Sequence, residues 1–253
     1  MIRLKRNVQL IDQHDKHGFY GGKFGGNYCA ETMRKPIEDL SKLFEKLRKN
    51  RKFIEKRDRY FRHYLGGETP FFKLENLTRY LGGAQIWCKD VSAINGDAHK
   101  AYHATVNALI CKESGKKFIA GDTGAGMFGK NLALAAREMK LSAKIFMGTK
   151  DIVRQAPNVK FMRDAGAEVV PVNSGSRTLV DAVSECMRHY VSNCDTTHLA
   201  VGSAIGCNIF LKICAWSTSQ ISKELKKQLI KEFDEIPRLN RLFLNNNIIK
   251  RET

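Results

Sequence analysis

The chain has little that would place it in or across a membrane. Its longest apolar candidate, residues 204–216, is interrupted by Asn208 and Lys212, whereas a membrane-spanning helix needs about 20 consecutive apolar residues. The amino-terminal stretch MIRLKRNVQLIDQHDKHG lacks the apolar centre of a secretory signal peptide. We therefore expect a cytoplasmic protein without a membrane segment.

The seven cysteines show neither a metal-binding nor a disulfide pattern. None forms a CxxC pair, and none has the spacing to histidine that is typical of zinc sites. Scattered cysteines of odd number are typical of buried thiols in a reducing compartment. The pattern predicts no metal site and argues against a disulfide-stabilised fold.

Acidic residues are scarce relative to basic ones. The chain carries 43 Lys and Arg against 26 Asp and Glu, a net charge of +17, and a basic surface attracts nucleic acid. The positive residues concentrate in residues 34–62 and 223–251, where they alternate with glutamates and leucines at helical spacing. That distribution is more typical of solvated helix faces. Nucleic-acid binding is therefore the less favoured alternative, and no zinc-finger or RNP-type motif supports it.

Glycine is unevenly distributed. It is frequent in residues 18–26, which predicts an irregular arm at the amino terminus. Apolar residues at helical spacing over residues 36–64 predict helices with a break near Asn50. No glycine follows Gly206, so the end of the chain offers no loop of close backbone amides.

The middle of the chain alternates strand and helix patterns. Strands are predicted at residues 117–120, 144–147, 168–172 and 198–201, and helices at residues 130–140, 153–165 and 178–190. Such alternation predicts parallel βαβ units with right-handed crossovers. We expect an α/β fold divided into residues 1–90 (arm, helices and the first part of the larger fold), 91–206 (a βαβ domain) and 207–253 (a divergent helical tail).

Two segments carry the chemistry. Lys100 follows His99 where a helix is predicted to begin, and such a lysine can supply the amine that condenses with an aldehyde cofactor. The glycine turn GDTGAGMFG, residues 121–129, lies between a strand and a helix, where backbone N–H groups can converge on an anion. Both segments are predicted at the carboxyl edge of the sheet, where ligands bind in open α/β folds.

Several segments, in order, are similar to one known family. They are KFGGNY at 23–28, GGETPFFKLENLT at 66–78, AHK at 98–100, DTGAGMFG at 122–129, MGTKD at 147–151, RQAPNV at 154–159 and GAEVVPVNSGSRTL at 166–179. Together they resemble the β chain of tryptophan synthase, a pyridoxal-phosphate enzyme of fold type II, from about residue 18 to residue 206. The resemblance implies parallel sheets with crossover helices in three layers, and a second domain that is incomplete here.

The resemblance also implies the cofactor and its contacts. Lys100 would form the Schiff base with pyridoxal phosphate and move the α-proton of the substrate, and His99 would help hold the cofactor phosphate. Gly202 and Ser203 would line the cofactor face. The implied substrates are L-serine and indole, and the implied partners are the synthase α chain and a second β chain.

The glycine turn would bind the substrate. The resemblance gives the amino-acid carboxylate to the backbone of Thr123, Gly124, Ala125, Gly126, Met127 and Phe128. Asp122 stands where the family has a glutamate that positions or protonates indole, and it is shorter by one methylene. The family's Gln-His pair is Met127-Phe128 here, and its glycine before AHK is Asp97.

The family's GGGSN phosphate loop has no counterpart after Gly206. We therefore expect a truncated, divergent relative that binds pyridoxal phosphate weakly and turns over poorly.

Other interpretations stay open at this point. Lys100 alone could cap a helix, and Asp122 could be a turn residue that bonds the following N–H groups. Met127 and Phe128 could pack against the sheet, and Asp97 could point to solvent or pair with a base. The whole protein could catalyse another pyridoxal-phosphate-dependent β-elimination or replacement, or be a non-catalytic relative.

Overall fold

The computed structural model describes most of the chain. The described residues are 13–15, 17–20, 22–202, 209–210, 212–219, 221 and 228. Ser203 and most of residues 207–253 lie outside this part, so the predictions made for them stay predictions. The domain boundaries proposed from the sequence likewise stay a prediction.

The amino-terminal arm folds as a short hairpin. Strands β1 (Phe19–Tyr20) and β2 (Phe24–Gly25) pair in antiparallel fashion. The Asp15 carboxylate accepts from the backbone N–H of Phe19 at 2.9 Å. The arm is otherwise mostly without regular structure up to Ala30, as its glycine content predicts.

Two helices follow the arm and confirm the predicted break near Asn50. Helix α1 (Glu31–Leu47) and helix α2 (Arg51–His63) are separated by Asn50, whose side chain accepts from the Phe53 N–H at 3.2 Å. Such a cap satisfies an N–H group that the first helical turn leaves unpaired. The apolar positions noted in the sequence form the buried faces of both helices.

A small antiparallel unit connects these helices to the main sheet. It contains strand β3 (Phe71–Lys73), helix α3 (Glu75–Leu81) and strand β4 (Trp87–Lys89), and β3 pairs with β4. Gly82 ends α3 in the left-handed conformation with φ 63°, which glycine adopts without steric cost. The strand predicted at residues 85–88 is present, shifted toward the carboxyl side.

The main sheet confirms the α/β class. Its elements are α4 (Lys100–Glu113), β5 (Phe118–Asp122), α5 (Met127–Glu138), β6 (Ser142–Gly148), α6 (Thr149–Arg154), α7 (Ala156–Asp164), β7 (Glu168–Val172), α8 (Leu179–Asn193) and β8 (Thr197–Ala200). All four strands are parallel, in the order β7-β6-β5-β8. Each predicted strand is present with small differences at its ends.

One predicted helix is wrong. The sequence favoured a single helix over residues 153–165, whereas α6 and α7 are separate and Gln155 between them has φ −115° and ψ 32°. Pro157 explains the break, because proline lacks a backbone N–H and its ring would clash with the carbonyl four residues earlier. Proline is tolerated in a first helical turn, and α7 begins just before it.

Helices cover the main sheet on both faces. Helices α5 and α7 connect β5, β6 and β7 in sequence and pack together on one face, with α4 beside α5. Helix α8 returns from β7 at one edge to β8 at the other and packs against β5, β6 and β8. A right-handed crossover in the reverse direction must use the opposite face. The chain direction therefore switches between β5 and β8, where ligands bind in open α/β sheets.

Helix α4 lies at the centre of the molecule. Every residue from Ala101 to Cys111 is buried, which is typical of a helix surrounded by other elements rather than one at the surface. Residues after the sheet add to this core, because the Trp216 ring packs on Phe44 and Phe53 at centroid distances of 5.8 and 6.1 Å. Among the described residues, no helix is both apolar and long enough to span a bilayer.

Candidate active site

Lys100 is the first residue of the buried helix α4. The helix leads back along the sheet to the start of β5, so its amino terminus lies at the edge where the strands end. Lys100 is partly buried, while His99 before it is exposed. The rigid helix therefore fixes the Lys100 backbone and directs its amine toward the strand ends.

Asp122 ends β5 and is 4% exposed. Its Oδ1 accepts a hydrogen bond of 3.3 Å from the N–H of Gly202, just after β8. Burial raises the pKa of Asp122, while the Gly202 hydrogen bond and the positive charge of Lys100 oppose that rise. The structure thus brings Lys100, Asp122 and Gly202 together, and it favours a carboxyl group that can hold a proton.

Asp122 does not act as a turn residue. It lies within the strand, and its carboxylate bonds the neighbouring strand end rather than the N–H groups that follow it. Such a bridge between β5 and β8 lies where the chain direction switches. It directs the carboxyl group toward the same crevice as Lys100.

The glycine loop after β5 is closely packed. Gly126 precedes α5 with φ 87°, and an added Cβ there would lie 2.6 Å from the Asn158 Cβ. An added Cβ on Gly124 would lie 3.2 Å from the Leu179 Cβ. The Asn158 side-chain amide donates to the Ala125 carbonyl at 3.0 Å. These contacts hold the loop in one conformation at the amino terminus of a helix, where an anion is favoured.

Thr123 connects the glycine loop to the main sheet and to helix α5. It is buried, its N–H donates to the Phe146 carbonyl at 3.0 Å, and its hydroxyl accepts from the Gly129 N–H at 3.2 Å. Its own N–H is therefore engaged within the sheet. Of the predicted carboxylate clamp, the N–H groups that can face a ligand are those of residues 124–128, which lie just before α5 and in its first turn.

Met127 and Phe128 differ in their surroundings. Met127 is partly exposed, whereas the Phe128 ring is buried and packs on the His103 ring at a centroid distance of 5.4 Å. An added Cβ on Gly202 would lie 2.8 Å from Phe128 Cδ1. The Phe128 side chain thus belongs to the core beneath the site.

Asp97 pairs with a base. It has φ 59°, and its carboxylate forms an ion pair of 2.5 Å with Lys130 of α5. The next residue, Asn131, donates to the Gly96 carbonyl at 3.0 Å. These two contacts fix the loop before Lys100 to the helix that follows the glycine loop. The sequence marked Asp97 but gave no signal for Lys130 or Asn131, because the pairing spans 33 residues.

A buried polar network beneath Lys100 was not found from the sequence. His103 Nε2 donates to the Val201 carbonyl at 2.8 Å, the Asn107 amide donates to the His103 carbonyl at 2.9 Å, and the Asn107 carbonyl oxygen lies 3.0 Å from His198 Nε2. Burial lowers the pKa of His103 to about 4 and that of His198 to about 3. Both rings are therefore neutral at neutral pH. His103 follows Lys100 by nearly one helical turn, which is the only signal the sequence offered.

The geometry of the candidate site agrees with the protein family whose model matches the sequence. The family model for pyridoxal-phosphate dependent enzymes matches residues 63–236. The chain belongs to this family. The match covers the glycine loop and Lys100 as well as the whole main sheet, and it agrees with the cofactor expected from the sequence.

Two relatives of this pyridoxal-phosphate dependent chain are similar over most of its length. They are tryptophan synthase β chains of Acinetobacter calcoaceticus and Acinetobacter baylyi, each 36% identical over 230 residues. The alignment covers 91% of this chain and 56% of each relative. The resemblance stated from the motifs is confirmed, and the chain spans little more than half the length of these curated relatives.

Solved structures show the same fold. Diaminopropionate ammonia lyase of Escherichia coli matches with a TM-score of 0.57 and 20% identity, over 71% of this chain and 52% of that one. A pyridoxal 5'-phosphate-dependent aspartate racemase matches with a TM-score of 0.53 and 20% identity, over 76% and 51%. At this identity they support the α/β fold of the family alone.

The residues at the strand ends fit the aldehyde group of the family's cofactor and an amino-acid substrate. A primary amine, a row of first-turn N–H groups and a buried carboxyl group suit an aldehyde, a carboxylate and a transferable proton, respectively. In the part of the chain that the structure describes, no group of three or more His, Cys, Asp or Glu could hold a metal ion.

Proposed function

We propose that the chain is a tryptophan synthase β-like enzyme that joins L-serine and indole, giving L-tryptophan and water. The observation that carries the proposal is the placement of Asp122, which is bonded to Gly202 and lies within the electrostatic influence of Lys100. The identity of 36% to tryptophan synthase β chains supports L-serine and indole as the proposed substrates. The rest of the proposal concerns what each residue does.

Lys100 supplies the amine and moves a proton. When bound, pyridoxal phosphate supplies an aldehyde for this amine and a ring that stabilises negative charge on the substrate α-carbon. The Lys100 Nζ then takes the α-proton of serine and returns one to the same carbon at the end of the reaction. The buried helix α4 keeps the amine in place through both proton transfers.

The glycine loop binds the serine carboxylate. The N–H groups of residues 124–128 converge at the amino terminus of α5, where the partial positive charge of the helix adds to the hydrogen bonds. Thr123 contributes by its hydrogen bonds with Gly129 and Phe146, which keep the loop in place. Met127 and Phe128 take part through their backbone.

Asp122 holds a proton near the departing hydroxyl group and the incoming indole. Its burial favours the protonated carboxyl group, so it can donate a proton to the serine hydroxyl as it leaves as water. The resulting carboxylate can accept the proton that indole loses when the new carbon–carbon bond forms. The Gly202 N–H steadies the charged form between these steps.

His99, Gly202 and Ser203 are proposed to face the cofactor. The exposed His99 ring is free to turn toward a phosphate, and Gly202 leaves room beside the Phe128 ring. The synthase α chain and a second β chain stay predicted partners. The cytoplasm stays the predicted location.

The test uses the purified full chain with added pyridoxal phosphate, L-serine and indole. We expect a visible absorbance band from the bound cofactor and indole-dependent formation of L-tryptophan, measured by chromatography. Both should be absent in Lys100→Ala and present in Lys117→Ala, a change at an exposed lysine outside the site. Tryptophan formation by Lys100→Ala at the rate of the unchanged chain would contradict the proposal.

A different β-elimination or replacement is the second candidate. Asp122 is shorter than the family's glutamate and its carboxylate is held against Gly202, so it is placed less well to accept the proton of indole, which favours another nucleophile. A misplacement near 1 Å can cost on the order of a hundredfold in rate. Product formation with indole, with small thiols and with water as acceptors distinguishes the two candidates. Asp122→Glu should increase the preference for indole only if the chain catalyses the tryptophan synthase reaction.

A further inference from the structure

A second cleft lies at the opposite edge of the main sheet. It has a volume of about 460 Å³, which is in the range of small-molecule sites. It lies where β5 and β8 begin, between α1 and α8, so the strands separate it from the edge that carries Lys100. The family chemistry described above does not use it.

The cleft contains a partly buried ammonium group. The Lys116 Nζ donates to the Thr197 carbonyl at 3.0 Å and lies 5.7 Å from the centroid of the Tyr190 ring. An ammonium group has three N–H donors, and among the described residues only this one hydrogen bond is made. Burial lowers the pKa of Lys116, and the nearby Cys194, Cys111, Asp195 and Asp39 oppose this effect. The amine therefore gains from an added anionic partner.

An exposed carboxylate, that of Asp195, lines the same cleft. Within the described residues, its one hydrogen bond comes from the Cys194 thiol, at 4.0 Å. Asp195 and Lys116 influence each other electrostatically, yet they form no ion pair. Two opposite charges that face a shared space without touching can each bind one end of a zwitterion.

The rest of the cleft is lined by apolar residues, neutral polar residues and one ion pair. Pro36, Leu40 and Leu43 of α1 line it on one side. The remaining charges, Lys35 and Asp39, already form an ion pair of 2.8 Å. A ligand for this cleft therefore needs one carboxylate, one ammonium group and an apolar side chain.

We propose that this cleft binds a free α-amino acid with an apolar side chain, whose carboxylate pairs with Lys116 and whose ammonium group pairs with Asp195. The apolar side chain packs against Leu40 and Leu43. The inference does not depend on the reaction at the opposite edge of the sheet. It gives the chain a second amino-acid site with a role other than catalysis.

Calorimetric titration of the full chain with L-leucine and L-phenylalanine tests the proposal, without added pyridoxal phosphate. We expect saturable binding of one equivalent. L-Leucinamide lacks the carboxylate and N-acetyl-L-leucine lacks the ammonium group, so each should bind weaker by about tenfold or more, since each loses a charge-assisted hydrogen bond.

Variants locate the site. Lys116→Gln and the surface change Asp195→Asn should each weaken L-leucine binding by about tenfold or more. Lys117→Gln, at the adjacent exposed lysine, and Lys100→Ala, at the opposite edge, should leave it unchanged. Absence of saturable binding to the full chain would overturn the proposal. Loss of binding in Lys100→Ala, or unchanged binding in both Lys116→Gln and Asp195→Asn, would overturn it as well.

Discussion

The Asp122 carboxylate accepts a hydrogen bond of 3.3 Å from the Gly202 N–H, so the ends of β5 and β8 are joined above the sheet. These two parallel strands are the pair between which the chain direction switches. The bond keeps a buried carboxyl group directed at the crevice, and the pKa of that group is raised by its burial. This relationship gives the site its candidate acid.

Replacement of Asp122 by asparagine should preserve the shape of the site and remove the proton. The Asn side-chain oxygen can still accept from the Gly202 N–H, so the fold should persist. We expect kcat to fall by about a hundredfold, the usual contribution of a positioned acid or base, with little change in the KM for serine. Steady-state kinetics across a pH series should also show one ionisation fewer than in the unchanged chain. An identical pH profile in both proteins would assign the proton transfer to another group.

Replacement of Lys100 by alanine should abolish the chemistry without unfolding the chain. The side chain is partly exposed at the first turn of α4, where alanine is well tolerated. We expect the visible absorbance of bound cofactor to disappear and the rate of product formation to fall by more than about a hundredfold. Circular dichroism should stay unchanged. A variant that keeps the absorbance band would show that the amine lies elsewhere.

Gly126→Ala should destabilise the fold and weaken binding of the substrate carboxylate. Alanine would need a positive φ of 87° and its Cβ would lie 2.6 Å from the Asn158 Cβ. Gly166→Ala is a matched control, because φ is 89° there and no atom lies within 4 Å of the added Cβ. Both variants carry the conformational cost of about 1–2 kcal/mol. The free energy of unfolding, measured in urea, should therefore fall further in Gly126→Ala than in Gly166→Ala, because only the first crowds Asn158. Equal losses in the two variants would contradict this expectation.

The two buried histidines should make the fold sensitive to acid. Burial lowers the pKa of His103 from 6.5 to about 4, so between these values the unfolded chain binds a proton that the folded chain does not. The free energy of unfolding should therefore fall as the pH drops through this window, by up to about 1.4 kcal/mol per pH unit. His198 extends the window to about pH 3. Since other groups also titrate there, the effect must be measured as a difference between variants.

His103→Gln and His63→Gln provide that difference. The first removes a buried titrating ring and keeps an amide that can donate to the Val201 carbonyl, and the second removes an exposed ring. Urea unfolding between pH 4 and 7 should show a smaller loss of stability on acidification for His103→Gln. Equal pH dependence in the two variants would mean that His103 does not stay neutral in the fold.

Local signals in the sequence predicted much of the fold. The spacing of apolar residues in α1 and α2, together with the capping residue Asn50, predicted both helices and their break. Strand β7 begins and ends at the residues that its apolar run predicts. Such features depend on neighbours in the chain, which a single sequence displays. The break at Gln155 is also local, because Pro157 lies two residues after it, yet the prediction of one helix over residues 153–165 did not include it.

The contacts that shape the site could not be predicted in this way. The Asp97–Lys130 ion pair and the Asp122–Gly202 hydrogen bond join residues 33 and 80 positions apart. The hydrogen bond of His103 to Val201 spans 98 positions. Which residues meet over such distances is set by the strand order, whereas the apolar pattern predicts the strands without their order. The motifs nevertheless marked Lys100 and Asp122 as candidates, because the proposed chemistry needs particular residue types.

Helix α4 is enclosed along its length, and its amide protons can meet solvent only when surrounding elements open. Hydrogen exchange along this helix should therefore be among the slowest in the protein, close to the rate set by global unfolding. The amine proposed to react is thus attached to a segment that seldom opens. Adaptation of the site to other substrates should then come from replacement of the loop residues around a lysine whose position does not change.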